Sequence, residues 1–273
     1  IQKGRAPSVL LGSSASGTLA HRHEIEKGPS IVLWTTLIED VRPLRLESPA
    51  LPDDVEPGQA VALIADPFTF DAATFAAGVA PELTLVGGLA SAVSRPGNSH
   101  LILDDEAFSN GAVAIVLPTD TDARALVATG CRPLGDPMVV TDAEGPLIRS
   151  LAGRPALERV TGLLADADET TAARIRRGLH LGIVIDEHLE AFGAGDFLIR
   201  TIMGVDHPSG ALAVGDTVPI GTTVQFQVRD AEAATADLED RLTGQRAGGA
   251  LAFTCNGRGS DLFGLPGHDA GLM

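Results

Sequence analysis

Residues 10–16 read Leu-Leu-Gly-Ser-Ser-Ala-Ser, and residues 85–91, which lie 75 positions later, read Leu-Val-Gly-Gly-Leu-Ala-Ser. Both stretches have an apolar start, a glycine in third position and a closing Ala-Ser pair. A further glycine and an apolar run follow each of them, at 28–35 and at 111–117. The pattern favours an internal repeat in which each copy is a short strand that ends in a Gly/Ser loop. A chance match of small residues is the alternative.

Short apolar runs bounded by Gly, Pro or Asp dominate the rest of the chain and predict about twelve strands. They include residues 30–35, 60–65, 112–117, 137–141, 147–151, 179–185, 197–205, 222–229 and 250–254. Helices are fewer: Asp71, Asp166 or Asp168, and Asp230 are predicted N-caps, and Pro155 is placed to open a helix over 156–165. We therefore predict an α+β fold of mixed β-sheets flanked by helices, with two related halves packed together.

A polar run at 119–122 predicts a domain boundary near Asp120, which gives domains at 1–120 and 121–273. We interpret Gly130–Gly135 as a turn just beyond that boundary. The second copy of the repeat is preceded by a strand and a capped helix, and the first copy is not. We therefore expect the natural protein to begin earlier, with a strand and a helix.

Composition excludes several classes of partner. The chain has 20 Lys+Arg against 36 Asp+Glu, a net charge of −16, which repels phosphate backbones and anionic lipid. No apolar run approaches the ~18 residues of a membrane span. The two cysteines cannot form a disulfide framework of the secreted type. We expect a cytoplasmic protein with no nucleic-acid partner and no membrane insertion.

Three segments at predicted strand ends, residues 12–17, 87–91 and 255–261, combine glycine with small polar side chains. Glycine lets backbone N–H groups approach a ligand, and serine hydroxyls donate and accept hydrogen bonds. The alternative is that the glycines only turn the chain. The predicted ligand-binding residues are Ser13, Ser14, Ser16, Gly87, Gly88, Ser91, Cys255, Asn256 and Arg258, with Arg258 as the anion binder.

The sequence contains no motif of a phosphate loop or a serine nucleophile elbow, and no complete set of metal ligands. No Lys-Ser/Thr pair follows Gly17, so residues 12–17 are not a phosphate loop, and no Gly-x-Ser-x-Gly elbow is present. His21 and His23 offer two metal ligands, with no third visible nearby. We predict no catalytic residue, no metal and no cofactor. Two alternatives stay open: an enzyme with Cys255 as nucleophile and His268 as base, and a protein-interaction scaffold.

Eight segments together resemble the FIST (F-box and intracellular signal transduction) family, in its N-terminal and C-terminal domains. They are LGSSASG at 11–17, EIEKGP at 24–29, VGGLAS at 86–91, NGAVA at 110–114, GCRPLG at 130–135, VTDAEG at 140–145, GRPAL at 153–157 and FTCNGRG at 253–259. The resemblance implies a bacterial sensory module that binds a small ligand, such as an amino acid or small carboxylate, and acts through a signalling protein partner. No catalytic residues come with it.

The chain departs from the family pattern at both ends. It lacks the opening strand and helix, in agreement with the repeat, and the closing segment that ends in Gly-Glu-Ile. We expect the ligand to bind in a cleft between the two halves.

Overall fold

The computed structural model describes residues 7–193 and 195–273. These residues form two compact units: unit 1 comprises residues 7–126 and 246–273, and unit 2 comprises Val127–Gln245. The units and the predicted domains divide the chain differently, because residues 246–273 belong to unit 1. No helix within the described ranges is long and apolar enough to cross a membrane.

Unit 1 is built on three β-sheets. Its strands are β1 (Leu11–Ser13), β2 (Thr18–Ala20), β3 (His23–Ile25), β4 (Arg42–Leu46), β5 (Ala60–Ala65), β6 (Thr84–Leu89), β7 (Leu101–Leu103), β8 (Glu106–Phe108) and β9 (Ala112–Leu117). A four-stranded sheet has the order β4-β9-β5-β6, a three-stranded sheet the order β1-β7-β8, and β2 pairs with β3. Only β5 and β6 are parallel among these pairs, and helix α1 (Ala72–Gly78) connects them.

Both faces of strand β5 are covered, which explains its continuous run of apolar residues. Val61 and Leu63 belong to a core cluster with Phe70 and Phe75, whose ring centroids are 5.4 Å apart. Ile64 packs on the opposite side, in a cluster that contains Leu101 of β7. The alternation of side chains along β5 thus joins the four-stranded sheet to the strands that carry the first Gly/Ser loop.

Unit 2 is a closed barrel of six strands with one short addition. Its strands are β10 (Cys131–Glu144), β11 (Leu147–Leu151), β12 (Arg154–Pro155), β13 (Leu179–Val184), β14 (Phe197–Asp206), β15 (Ala211–Val214) and β16 (Thr223–Arg229). The order β10-β16-β13-β14-β15-β11 closes because β10 also pairs with β11. Buried residues such as Leu181, Leu212 and Phe226 form its core.

Three helices flank the barrel: α2 (Ala156–Asp166), α3 (Glu169–Arg177) and α4 (Ala231–Leu242). The Asp168 side chain accepts a hydrogen bond from Thr171 N, and Asp230 accepts one from Ala233 N, so both predicted caps are confirmed. Asp230 is also fully buried and pairs with Arg132 at 3.1 Å and Arg174 at 2.8 Å. That carboxylate therefore joins β10, α3 and α4.

The predicted α+β class is confirmed, but some predicted elements are wrong. Residues 30–35 and 250–254 form no strand although the structure describes them, and Ile31 is 95% exposed. Gly130–Gly135 is not an isolated turn, because β10 already begins at Cys131. The sequence patterns also did not predict the β2–β3 hairpin or the short helices α5 (Ser260–Phe263) and α6 (His268–Leu272).

Candidate functional site

A solvent-open hollow of about 510 Å³ lies in unit 1, where both repeat copies leave their strands. Strand β1 ends before the loop that carries Ser16, and β6 ends before the loop that carries Ser91. The wall of the hollow consists of Ser16, Pro67, Phe68, Leu89, Ala90, Ser91, Ala92, Val93, Ser94 and Asn256. Its volume falls within the range of about 300–1,000 Å³ typical of small-molecule sites.

The equivalent serines of the two repeat copies bind each other's loops. The Ser16 backbone N–H donates to Ser91 Oγ at 2.8 Å, and the Ala92 backbone N–H donates to Ser16 Oγ at 3.0 Å. Both hydroxyl oxygens act as acceptors in these bonds, so each hydroxyl retains its own hydrogen for a further acceptor. The two loops therefore supply two O–H donors at the wall of one hollow.

Ala92 has a left-handed backbone, with φ of 64°. A non-glycine residue in this region is uncommon and costs of order 1–3 kcal/mol, and such residues cluster at binding sites. The hydrogen bond from Ala92 N to Ser16 Oγ holds this conformation. The strained turn is thus held by a residue of the other repeat copy, and it lies in the wall of the hollow.

Buried Asp66 organises a further part of the wall of the hollow, through the turn that follows it. Its carboxylate accepts hydrogen bonds from Phe68 N at 3.0 Å, Thr69 N at 2.9 Å and Thr69 Oγ1 at 2.7 Å, and from Ser99 Oγ at 2.7 Å. Burial raises the pKa of Asp66, but the hydrogen bonds from Ser99, Thr69 and Phe68 outweigh it and hold the pKa below its ordinary value. These bonds fix the Pro67–Thr69 turn, whose first two residues line the hollow.

Of the nine residues predicted to bind a ligand, Ser16, Ser91 and Asn256 line the hollow. Ser13 lies in β1 opposite Leu101. Ser14 donates its backbone N–H to the His100 carbonyl at 2.8 Å and accepts the His100 N–H on its hydroxyl at 3.3 Å. Ser13 and Ser14 therefore join β1 to β7 and its preceding residue.

The two glycines predicted to bind a ligand, Gly87 and Gly88, lie inside β6. They differ in how much space the neighbouring residues leave for a side chain. A Cβ on Gly87, where φ is 152°, would lie far inside van der Waals distance of the Leu63 carbonyl oxygen and 2.9 Å from the Leu63 carbonyl carbon. A Cβ on Gly88 would lie 3.6 Å from Phe253 Cδ1, an ordinary contact. The close approach of β5 to β6 is thus the physical reason for glycine at position 87.

The remaining predicted residues lie in the C-terminal segment of unit 1. Cys255, next to Asn256, is exposed, and its Sγ accepts a hydrogen bond from Gly257 N at 3.4 Å. The Arg258 guanidinium is largely buried and bound by both oxygens of Asp269, with Nη2–Oδ1 at 2.8 Å. Arg258 thus makes a bidentate ion pair within the segment.

His268, the base considered for Cys255, stacks on Phe263 with ring centroids 3.5 Å apart and lies 3.0 Å from Asp269 through Nδ1. Burial raises the pKa of Asp269, but Arg258 and His268 outweigh it and lower that pKa. Within the described ranges no cluster of three or more His, Cys, Asp or Glu residues is placed to hold a metal.

Sequence reasoning missed Asp66, Pro67, Phe68 and Ala92. The signal for Asp66 was present, since Asp-Pro directly after an apolar strand favours a turn in which the Asp side chain accepts nearby N–H groups. Nothing local indicates that Ala92 adopts a left-handed backbone, because its partner Ser16 is remote in sequence.

The lining of the hollow offers hydroxyls, an amide and apolar side chains, and none of its described residues is ionisable. Such a surface can bind a polar ligand through hydrogen bonds, and it offers no counter-charge to a ligand that carries a net charge.

Comparisons with known proteins cover nearly the whole chain. The model of the FIST N domain matches residues 3–154, and the model of the FIST C domain matches residues 156–270. The chain is 38% identical over 293 residues to Uncharacterized protein Rv0628c of Mycobacterium tuberculosis, covering 100% of this chain and 76% of that protein. It is 38% identical over 286 residues to Uncharacterized protein Mb0898c of Mycobacterium bovis, covering 98% and 74%. No solved structure is significantly similar to the chain.

Proposed function

The chain belongs to the FIST family, whose domains are sensory domains of signal transduction, and we propose that it senses a zwitterionic amino acid bound in the hollow of unit 1. The observation that carries the proposal is the reciprocal pair of Ser16 and Ser91, which leaves two hydroxyl hydrogens beside one hollow. The cleft that we expected between the halves is replaced in this proposal by a hollow within one unit.

The chemistry of the wall selects the ligand class. Two O–H donors match the two oxygens of a carboxylate, and the Asn256 side-chain oxygen matches an ammonium group. A zwitterion has no net charge, which suits a wall that offers no counter-charge. Phe68 and Leu89, which are about half exposed, offer apolar area to a ligand side chain. We propose that occupancy is then communicated to a separate signalling protein.

Thermal-shift screening against the common amino acids and small carboxylates tests the proposal. A zwitterionic amino acid present at about 100 times its Kd should stabilise unit 1 by about 2.7 kcal/mol and raise its Tm by roughly 5–10 °C. Ser91→Ala should roughly halve this ligand-induced rise, because it removes one hydroxyl donor and frees the Ser16 amide, and a Kd about tenfold weaker leaves about 1.4 kcal/mol of stabilisation.

Ser48→Ala is the matched control, because Ser48 is an exposed serine of the same unit that does not line the hollow. Its ligand-induced rise should equal that of the unmodified protein. A flat response across the library, or an undiminished rise in Ser91→Ala, would refute the proposed site.

A further inference from the structure

Two Asn-Gly pairs occur in the chain, at 110–111 and 256–257, and the structure holds them in very different environments. In such a pair the backbone nitrogen of the glycine reaches the asparagine side chain with little steric hindrance, because glycine has no Cβ. Attack of that nitrogen on the side-chain amide is the reason why asparagine is among the thermolabile residue types. Whether a given pair reacts depends on how firmly the fold holds its two residues.

The pair at 256–257 lies in an exposed turn. The residues that precede it, 246–255, are all exposed and belong to no helix or strand. The Arg258 backbone N–H donates to the Cys255 carbonyl at 2.9 Å and closes the turn. The Gly257 N–H donates only to Cys255 Sγ, at 3.4 Å, and a thiol is a weak acceptor. The Asn256 side chain makes no hydrogen bond with the described part of the chain.

The pair at 110–111 is fixed by hydrogen bonds on both of its residues. Asn110 Oδ1 accepts from Arg45 Nη2 at 2.7 Å. Gly111 is buried, its N–H donates to Thr69 Oγ1 at 2.9 Å, and its carbonyl accepts from Asp66 N at 2.8 Å. The Gly111 nitrogen therefore reaches Asn110 Cγ only after several of these bonds have opened.

We propose that Asn256 is a site of spontaneous deamidation, which places a carboxylate in the wall of the unit 1 hollow. The Gly257 nitrogen forms a bond with Asn256 Cγ, and the side-chain nitrogen leaves as ammonia with the proton that Gly257 gives up. One water molecule then opens the resulting five-membered imide at either carbonyl, which leaves aspartate or isoaspartate at this position. The net change is from an amide and water to a carboxylate and ammonium.

The new carboxylate changes the chemistry of the hollow. None of the other described lining residues is ionisable, and a carboxyl group of this type is ionised at neutral pH. The product adds a negative charge at the position where Asn256 is proposed to accept from a ligand ammonium group, so a cationic ligand gains more than a zwitterion does. This change of ligand preference rests on the proposed function, whereas the modification itself does not.

The test is peptide mass spectrometry of the folded chain after incubation for several weeks at neutral pH and physiological temperature. Trypsin releases Asn256 within the peptide 247–258, because Arg246 and Arg258 bracket it. Conversion at Asn256 should be about a hundredfold faster than at Asn110, whose pair is held by the hydrogen bonds to Arg45, Thr69 and Asp66. Isoaspartate should appear beside aspartate, because direct hydrolysis of the amide yields aspartate alone.

Two further measurements connect the rates to the structure. In urea, where the hydrogen bonds around Gly111 are lost, the two pairs should convert at rates within about threefold of each other. Gly257→Ala should slow conversion at Asn256 by about tenfold, because the added Cβ hinders the attacking nitrogen, and should leave the rate at Asn110 unchanged.

Asn256→Asp reproduces one of the two products and tests the change of ligand preference. Lysine and leucine serve as the cationic and the zwitterionic probe, and binding is measured through the amides of Ser16 and Ala92. The affinity for lysine relative to leucine should rise about tenfold over that of the unmodified protein.

The proposal is overturned if Asn110 converts as fast as Asn256 in the folded chain, or if Asn256 yields no isoaspartate. An unchanged ratio of lysine to leucine affinity in Asn256→Asp would refute the change of ligand preference. If neither amino acid binds, the proposed function and this change of preference both fail, and the mass spectra still decide the modification.

Discussion

Replacement of Asp66 by alanine is expected to lower the free energy of unfolding of unit 1 by about 3–4 kcal/mol. The carboxylate is fully buried and accepts four hydrogen bonds, from two backbone N–H groups and the hydroxyls of Thr69 and Ser99. Alanine would leave the buried Ser99 hydroxyl and the part-buried donors of Phe68 and Thr69 without their acceptor. Urea denaturation monitored by circular dichroism measures the loss.

Asp71→Ala is the matched control for this prediction. Asp71 follows the same strand and accepts from Thr74 N at 2.9 Å and Thr74 Oγ1 at 2.7 Å, but it is an exposed helix cap. Its loss should cost only about 1 kcal/mol. Equal effects of the two substitutions would contradict the role assigned to Asp66.

Acidification gives a second signature of Asp66. Because its pKa is lowered in the folded state, its stabilisation is complete above the ordinary Asp pKa of about 3.9 and is lost as the pH falls through the folded-state value. Asp66→Asn should remove this contribution to the acid sensitivity of unit 1.

Gly87→Ala is expected to destabilise unit 1 by about 3 kcal/mol or more, because overpacking and a left-handed backbone each cost about 1–3 kcal/mol. The added methyl would collide with the backbone of Leu63 in the parallel β5–β6 pair. Relief of the collision requires the strands to separate. The measurement is the unfolding midpoint in urea.

Gly88→Ala is the neighbouring control. Its methyl would contact Phe253 Cδ1 at 3.6 Å, and φ is not in the left-handed region, so the expected change is within about 1 kcal/mol. If the two substitutions destabilise the protein equally, strand packing does not explain the glycine at position 87.

Local signals predicted helices α1 to α4 of this chain but not the short helices α5 and α6. Asp71, Asp168 and Asp230 all cap helices as expected, because the bond from a cap to an amide three residues on is contained in the local sequence. Strands were harder, since an apolar run needs a remote partner. Residues 30–35 have the composition of a strand but, although described, no ladder partner.

In the candidate site, too, the features that a sequence pattern contains were predicted, and those that depend on a remote partner were not. The internal repeat identified Ser16 and Ser91 as equivalent, and the structure joins their loops by two hydrogen bonds, from Ser16 N to Ser91 Oγ and from Ala92 N to Ser16 Oγ. Arg258, in contrast, is paired with Asp269, eleven residues later, in a helix that the sequence pattern did not predict. The residue type of Arg258 indicated an anion-binding side chain, but it could not show that the anion is the Asp269 carboxylate.

Residue-specific NMR titration of the unit 1 hollow tests the central claim most directly. The probe is the amino acid that gives the largest thermal shift. The amides of Ser16 and Ala92, which donate to the paired serine hydroxyls, should shift saturably with one Kd, and this response should weaken about tenfold in Ser91→Ala. The claim would be contradicted if an amino acid bound and left both amides unshifted. It would also be contradicted if no amino acid at about 1 mM, roughly 1,000 times a micromolar Kd, shifted them.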